Sequence, residues 1–278
     1  MQEDTPLGAE AIGLDPAVRA CLFDLDGVLT RAAEIHAEAW RRTFDAFLTA
    51  YDARGSRHTA PFDEQTDYEL YLDGRTRTDG IRAFLGSRGI EVPMGDPEDK
   101  PGTDTMYGIG AAKQSEFLAL LGTHGPRLDD DAVRYVREAR YAGLSCAVVT
   151  CSANADALLS AAGVAHLFDV RIDGRLATAL GLLGKPAPDV YIAAARGLEV
   201  KPGHAAVFDA SLPGVEAART GGFGAIVGVD RLGGGGYRAR LRAHGATTVV
   251  RELGELLVQS GTATGAQPAA RRVPGLED

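Results

Sequence analysis

Short apolar runs alternate with helical patterns through the second half of the chain. The runs LSCAVVT, HAAVFDA, GAIVGVD and ATTVVRE have the character of buried strands, and they lie at 144–150, 204–210, 224–230 and 246–252. The segments between them show helical spacing, and they cover 129–142, 153–163, 186–199 and 213–220. Strands that alternate with helices in this way are typical of a parallel sheet covered on both faces. The pattern therefore predicts an α/β fold with a doubly wound parallel sheet.

A further apolar run, VRACLF at 18–23, is separated from the others by a segment of a different character. Residues 33–124 open with a helical pattern and contain no convincing buried strand. We therefore predict a Rossmann-like α/β core made of residues 18–32 and 125–260, with a mainly helical cap at 33–124 inserted after the first strand. An insertion at this place lies at the carboxyl edge of the sheet, where such folds bind ligands. We expect the cap to act as a lid.

Three stretches lack the pattern of a buried element. Residues 1–17 are polar and mixed, and residues 261–278 are rich in Gly, Ala and Pro without apolar periodicity. Both are predicted to be flexible termini. The run LGGGGY at 232–237 has too many glycines for a regular element and lacks the spacing of a phosphate-binding loop, so we interpret it as a surface loop.

Composition and charge narrow the function classes. The 278 residues are 45% hydrophobic and 24% charged, which is ordinary for a globular protein large enough to bury a core. The formal net charge of −9 argues against a nucleic-acid or membrane partner, because both need a basic face. A small phosphorylated substrate stays compatible with this charge, since a few well-placed cations suffice to bind it.

The cysteines and the apolar segments indicate the compartment. Cys21, Cys146 and Cys151 are too few and too scattered for a disulfide framework or a zinc site. The first sixteen residues lack the cationic and apolar regions of a signal peptide, and no window approaches 18 apolar residues. We expect a soluble protein of the reducing cytoplasm.

The clearest candidate chemistry lies at the end of the first apolar run, in CLFDLDGVLT. Residues two apart in a strand face the same side, so Asp24 and Asp26 project together, and Gly27 allows a sharp turn after them. Two neighbouring carboxylates repel each other unless a cation lies between them, and oxygen ligands suit Mg²⁺. The alternative for these residues alone is a polar turn after a strand.

The string FDLDGVLT resembles the first motif of the haloacid dehalogenase-like superfamily, in particular its β-phosphoglucomutase-like phosphatases and phosphomutases. AVVTCSAN resembles the second motif, GKPAPDVYIAAA the third and VFDASLPGVEAARTGG the fourth, in the same order along the chain. The resemblance covers roughly residues 18–255. Four motifs in order are more specific than any single one.

The resemblance implies a phosphoryl-transfer site. Asp24 would be the nucleophile that forms an aspartyl phosphate, and Asp26 the general acid and base. Thr150 would hold the phosphoryl oxygens and Lys185 would balance their charge. Ser152 and Asn154, which follow Thr150 in the second motif, would bind the substrate. Mg²⁺ is the implied cofactor, held by Asp24, by the main-chain carbonyl of Asp26 and by Asp209.

The fourth motif departs from the family pattern. Relatives carry two adjacent acids there, whereas this chain has Asp209 followed by Ala210, where a direct metal ligand is expected. Mg²⁺ can keep several waters and bind through one or two carboxylates, so a site is still possible. We expect weaker metal binding, and a degenerate site with little activity is the alternative.

The cap carries four further residues that match the family. RAAEIHAEAW holds His36 and Trp40, and the resemblance implies that this histidine contacts Asp26 when the cap closes. LDGRTRTDGIRAFL presents Arg77 and GIGAAKQSEFLALL presents Lys113, which would together bind a distal phosphate. Taken singly, the histidine and the two cations are more typical of a solvated surface.

The sequence thus predicts an Mg²⁺-dependent enzyme that transfers a phosphoryl group on a small-molecule sugar phosphate, with the β-phosphoglucomutase reaction as the leading interpretation. A sugar-phosphate phosphatase of the same fold is one alternative. A sugar-phosphate-binding protein without activity is another. We expect a monomer or a weak homodimer.

Overall fold

The computed structural model describes residues 7–55, 58–64, 66–124, 128–152, 155–231 and 235–261. Six parallel strands form one sheet, and they are β1 (Ala20–Asp24), β2 (Ser145–Val149), β3 (Val170–Ile172), β4 (Ala205–Asp209), β5 (Ala225–Val229) and β6 (Thr248–Val250). The strand order is β3-β2-β1-β4-β5-β6, with β1 between β2 and β4. Since the order reverses beside β1, its carboxyl end lies at the crevice where ligands bind in open α/β sheets.

Helices cover both faces of the sheet, as the sequence pattern predicts. They are α4 (Asp130–Tyr141), α5 (Ala155–Ala161), α6 (Gly174–Ala179), α7 (Asp189–Gly197), α8 (Leu212–Thr220), α9 (Gly235–His244) and α10 (Gly254–Gly261). Alternate side chains of β1 explain the two layers. Phe23 packs with α4, α5 and α10, whereas Leu22 packs with α7, α8 and α9. Both side chains are fully buried, which accounts for the continuous apolar character of this strand.

Three further helices lie between β1 and α4, and they are α1 (Ala32–Gly55), α2 (Arg77–Ser87) and α3 (Met106–His124). A π-helical turn at Tyr68–Leu72 precedes α2. These elements share their own hydrophobic cluster, in which Phe44 contacts the rings of Phe62 and Phe84. The segment therefore has a core separate from the two layers that flank the sheet.

Two expectations about loops differ from the structure. Residues 7–17, predicted to be flexible, include a short 3-10 turn at Ala9–Ile12, and Ile12 is buried against α4 and α10. The Tyr135 hydroxyl fixes this turn by donating to the Ile12 carbonyl at 2.9 Å. The glycine-rich run is only partly a loop, because α9 begins at Gly235, and residues 232–234 lie outside the described residues.

Strand β3 was missed in the sequence. It has three residues, pairs with β2 alone and carries the exposed Arg171 at its centre, so no apolar run marks it. Most of the predicted tail, from residue 262 onward, lies outside the described residues, as does the segment 1–6. Among the helices that the structure describes, none combines the length and the apolar composition needed to cross a bilayer.

Candidate active site

The carboxyl ends of three neighbouring strands bring the predicted core residues together. Asp24 ends β1, Asp209 ends β4, and Thr150 directly follows β2. Because these strands are parallel and adjacent, their side chains meet at one edge of the sheet. Lys185 reaches the same point from the loop before α7.

Lys185 joins two carboxylates. Its Nζ lies 2.7 Å from Asp24 Oδ1 and 2.7 Å from Asp209 Oδ2. Burial alone lowers the pKa of Lys185, but the charges of Asp209 and Asp24 outweigh it and hold that pKa well above its usual value. Lys185 is therefore protonated at neutral pH, and it fixes one oxygen of Asp24.

Asp209 is fully buried and engaged at both oxygens. Oδ2 accepts hydrogen bonds from Lys185 and from the Tyr191 hydroxyl at 2.5 Å, while Oδ1 accepts from the Ser211 amide at 2.7 Å and the Ser211 hydroxyl at 2.9 Å. Four donors occupy the lone-pair positions of this carboxylate. Asp209 is therefore well placed to orient Lys185, and binding a metal would require it to share or release some of these bonds.

Asp26 lies between the core and the cap. Its Oδ1 accepts from the Thr30 hydroxyl at 3.3 Å, and its Oδ2 accepts from the Thr150 hydroxyl at 3.4 Å. The His36 ring, carried by α1, places Nε2 at 3.7 Å from the same Oδ2. Burial raises the pKa of Asp26, although Lys113 and the hydroxyl hydrogen bonds act in the opposite direction. The carboxyl is thus held between the core and the cap, with its pKa above the usual value.

Lys113 contacts His36 from α3. Its Nζ is 2.5 Å from His36 Nδ1 and lies over the rings of Trp40 and Phe117. When Lys113 is protonated it has donors only, so Nδ1 then accepts and the neutral imidazole carries its proton on Nε2, on the side of Asp26. Burial and the Arg77 charge lower the pKa of Lys113 to about 7, and burial also lowers the pKa of His36 well below its usual value.

Arg77 is the first residue of α2, which Thr76 caps by accepting from the Asp79 amide. The Arg77 guanidinium donates to Gln114 Oε1 at 2.5 Å, so Gln114 orients it across the gap between α2 and α3. Gly110 allows this approach, because a Cβ there would lie 2.9 Å from Arg77 Cδ. Arg77 therefore faces the cavity from the cap side.

A cavity of about 670 Å³ lies between the cap and the sheet edge. The predicted residues that line it are Asp24, Asp26, His36, Trp40, Arg77, Lys113, Thr150, Ser152 and Lys185. Asp209 lies below this lining, where its contacts with Lys185 hold it. Asn154 lies outside the described residues.

The loop before α2 closes part of the cavity against the core. The Gly74 carbonyl accepts from Cys151 Sγ at 3.3 Å, and a Cβ at Gly74 would lie 2.5 Å from Ser211 Oγ. Gly74 also has a φ of +68°, a backbone conformation that favours glycine. Both the close approach and this conformation therefore require glycine at this position. An ion pair between Glu69 and Arg240 of α9 adds a second contact between cap and core.

Several residues of this site were missed in the sequence. Asp73 lines the cavity from the cap, and burial and the Asp209 charge raise its pKa to about 7. Tyr191 and Ser211 bind Asp209, and Arg231 binds the loop after β1. The acidic residue in LDGRT was a visible signal for Asp73, and Ser211 lies two residues after Asp209 in the fourth motif, whereas Tyr191 and Arg231 reach their partners only through folding.

The site offers few oxygen ligands from the protein, and Mg²⁺ can bind to few of them when water completes its coordination shell. Within the described ranges, no cluster of three His, Cys, Asp or Glu side chains is arranged to hold a metal ion, and Ala210 contributes no carboxylate. Asp24 lines the cavity, and its Oδ1 accepts a hydrogen bond from Lys185. The Asp24 carboxylate and the Asp26 carbonyl form a donor set that Mg²⁺ would accept with water and phosphate completing the shell.

Comparisons with known proteins agree with this fold. The chain is 44% identical to the β-phosphoglucomutase of Mycobacterium tuberculosis over 90% of its length and 95% of that protein. It superimposes on CbbY from Rhodobacter sphaeroides in complex with xylulose-(1,5)bisphosphate with a TM-score of 0.63 and 27% identity, covering 86% and 96% of the two chains. It also shares its fold with the β-phosphoglucomutase of Clostridium difficile, with a TM-score of 0.63 and 20% identity over 88% and 98% of the chains.

A family model agrees with these relatives. The model of the haloacid dehalogenase-like hydrolases matches residues 18–222, a range that contains every core residue of the site. The chain therefore belongs to the haloacid dehalogenase-like hydrolase family.

Proposed function

We propose that this protein is a phosphomutase that interconverts β-glucose 1-phosphate and glucose 6-phosphate through a phosphorylated Asp24. The position of Asp26 carries the proposal. This carboxyl lies two residues from the nucleophile and contacts Thr150 of the core and His36 of the cap. A group that must serve first as acid and then as base needs this placement. The 44% identity to a β-phosphoglucomutase supports the choice of sugar.

Asp24 attacks with the oxygen that Lys185 does not bind. Because Lys185 holds Oδ1 at 2.7 Å, Oδ2 is the oxygen that forms the bond to phosphorus. The bond from phosphorus to the sugar oxygen breaks at the same time. Lys185 and the Thr150 hydroxyl then stabilise the negative charge on the phosphoryl oxygens.

Asp26 moves the proton in both halves of the cycle. It gives its proton to the departing sugar oxygen, and its raised pKa favours the protonated form that this step needs. In the other half, the ionised Asp26 takes the proton of the 6-hydroxyl of β-glucose 1-phosphate, whose oxygen attacks phospho-Asp24 and forms the bisphosphate while freeing Asp24. The bisphosphate then reorients and presents its 1-phosphate to Asp24, which regenerates phospho-Asp24 and releases glucose 6-phosphate. The number of protons and phosphoryl groups is unchanged over the cycle.

The cap binds the part of the substrate that does not react. Arg77 and Lys113 both line the cavity opposite Asp24, and their charges suit the distal phosphate of a bisphosphate. Lys113 also fixes the imidazole that faces Asp26. We propose that phosphate binding at the cap and the placement of the acid–base group are linked through this lysine.

Mg²⁺ is the proposed cofactor, held by Asp24 and the main-chain carbonyl of Asp26. When bound, it offsets the repulsion between the carboxylate and the phosphate. Asp209 remains the nearest further acid, although its four hydrogen bonds favour a role in orienting Lys185.

One incubation tests the proposal against its alternatives. The protein is mixed with β-glucose 1-phosphate, Mg²⁺ and a trace of glucose 1,6-bisphosphate, and both glucose 6-phosphate and free phosphate are followed. Glucose 6-phosphate without release of phosphate supports the mutase. Release of phosphate at the same rate as substrate loss would show that the protein is a sugar-phosphate phosphatase and not a mutase. Binding of β-glucose 1-phosphate without formation of either product would indicate a degenerate site, the alternative that follows from Ala210 in the fourth motif.

A further inference from the structure

The loop after β1 determines where Asp26 lies. Three consecutive carbonyls of this loop, those of Gly27, Val28 and Leu29, accept hydrogen bonds from residues outside it. Within the loop, the amides of Leu29 and Thr30 both donate to the Leu25 carbonyl, and Gly27 has a φ of +90°. These bonds give the loop its shape. They do not fix it to the rest of the core, so its orientation depends on other contacts.

Arg231 supplies two hydrogen bonds that join the loop to the core, beside the buried side chains of Val28 and Leu29 and the bridge between Thr30 and Leu128. It follows β5, two strands away from β1, and its Nε donates to the Gly27 carbonyl at 2.9 Å and its NH2 to the Val28 carbonyl at 2.6 Å. The third nitrogen, NH1, lies 2.9 Å from Asp129 Oδ2. A planar guanidinium can make these three directed contacts at once, which a lysine cannot.

Asp129 completes the arrangement from the start of α4. Its Oδ1 caps this helix by accepting from the Ala132 amide, and its own amide donates to the Leu29 carbonyl at 2.9 Å. The side chain is 3% exposed and that of Arg231 is 16% exposed, so the ion pair is shielded from water. Arg31 also contacts Asp129 Oδ2, at 3.2 Å, but its own side chain is 58% exposed.

We propose that Arg231 is a positioning residue that holds the loop after β1 so that Asp26 faces the reacting oxygen. Charged donors make stronger hydrogen bonds than neutral ones, and here two of them bind the carbonyls that directly follow Asp26. Arg231 does not line the cavity, so it acts through the loop. The kinetic part of this inference rests on the proposed function, whereas the orientation of the loop can be measured without turnover.

Arg231→Met and Arg31→Met form a matched pair for the test. Both remove one ion pair with Asp129, but only Arg231→Met removes the donors to the Gly27 and Val28 carbonyls. Hydrogen exchange of peptides that cover residues 25–30 reports the loop directly. We expect exchange there to rise about tenfold or more in Arg231→Met and to stay near the wild-type rate in Arg31→Met.

Kinetics separate positioning from mere stabilisation. Arg231→Met is expected to lower kcat about ten- to a hundredfold with little change in KM, because an acid–base group placed wrongly affects the transition state and not substrate binding. Arg231→Lys keeps the charge opposite Asp129 and is expected to restore only part of kcat. It also replaces the methionine variant if that variant does not fold.

Each outcome decides the question. Faster exchange together with a loss in kcat supports the proposal. If exchange in the loop is unchanged, or if exchange rises while kcat stays at the wild-type value, Arg231 does not position Asp26. If wild type has no turnover but only Arg231→Met exchanges faster, the proposed function fails while the control of the loop by Arg231 stands.

Discussion

The two oxygens of Asp24 have different surroundings. Oδ1 accepts a hydrogen bond from the buried Lys185, whereas Oδ2 accepts none from the residues that the structure describes. This division separates the task of holding charge from the task of attacking phosphorus. It also means that the nucleophile can be removed with little effect on the contacts around it.

We therefore expect Asp24→Asn to lose about a thousandfold or more in phosphoryl transfer while keeping its fold. The amide is nearly isosteric, and its oxygen can still accept from Lys185, but it cannot attack phosphorus. Turnover of β-glucose 1-phosphate and trapping of the phosphorylated protein by mass spectrometry measure the effect, with circular dichroism as the control for folding. Activity above a few per cent of wild type would contradict covalent catalysis by Asp24.

Ala210 is the second residue with a direct test. It follows Asp209 at the sheet edge, and its main-chain carbonyl already accepts from the Tyr237 hydroxyl at 2.7 Å. We expect Ala210→Asp to lower the Mg²⁺ concentration for half-maximal activity, because a carboxylate replaces a water that Mg²⁺ would otherwise keep.

Ala210→Asn is the matched control for this substitution, since it has nearly the same size without the charge. Mg²⁺ is titrated at saturating substrate for the three proteins. The rate itself can fall, because an added negative charge repels the phosphate, so the midpoint of the titration is the decisive quantity. Coinciding titrations for Ala210→Asp and wild type would show that residue 210 does not face the metal.

At the scale of elements, the site is divided between the sheet edge and the cap helices. The α/β core contributes the carboxylates and Lys185, while α1, α2 and α3 contribute His36, Arg77 and Lys113. Chemistry and recognition thus belong to different parts of the chain. A change on a cap helix should therefore affect large substrates more than small ones.

Arg77→Ala tests this division. We expect it to reduce turnover of a bisphosphate about ten- to a hundredfold more than hydrolysis of a small aryl phosphate, since only the bisphosphate reaches the cap. Arg82→Ala removes an exposed arginine of the same helix, whose partner is Asp79, and serves as the control. Equal losses on both substrates would mean that Arg77 does not bind the distal phosphate.

The elements also show how far the sequence could predict the structure. Long apolar runs such as VRACLF fixed the strands to within a few residues, because a strand buried on both faces must be continuously apolar. The motif order was enough to propose Asp24, Thr150 and Lys185 as neighbours. Strand β3 is too short and too polar to carry such a pattern.

Other features depend on the tertiary fold alone. Arg231 and Gly27 are separated by 204 residues, and nothing in either local sequence marks their contact. Ile12 lies in a polar segment, and its burial follows from the packing of α4 and α10 around it. Lys113 was predicted to contact phosphate, but its additional contact with His36 could only come from the packing of α1 against α3.

At the scale of the whole molecule, burial of Lys113 links stability to pH. Its pKa in the folded protein is about 7, below its ordinary value of 10.5. Between these two values the unfolded chain holds a proton that the folded protein lacks, so this lysine makes folding more favourable as pH rises. Below about pH 7 the lysine is protonated in both states, and its contribution is constant.

We therefore expect the difference in unfolding free energy between wild type and Lys113→Met to shift in favour of wild type as pH rises from 7 toward 10. Urea unfolding of both proteins across this range measures it. Lys201→Met, which removes an exposed lysine, controls for the change in net charge. A difference that stays constant over the range would mean that Lys113 keeps its ordinary affinity for the proton.

The chain enters and leaves the cap at a single point. Thr30 forms an antiparallel bridge with Leu128, so the two crossings lie side by side, about 5 Å apart as in any pair of strands. The insertion could therefore be removed and its two ends joined by a short turn, without disturbing the strands of the sheet. We therefore expect a protein in which a short turn joins residues 30 and 128 to keep the six-stranded sheet.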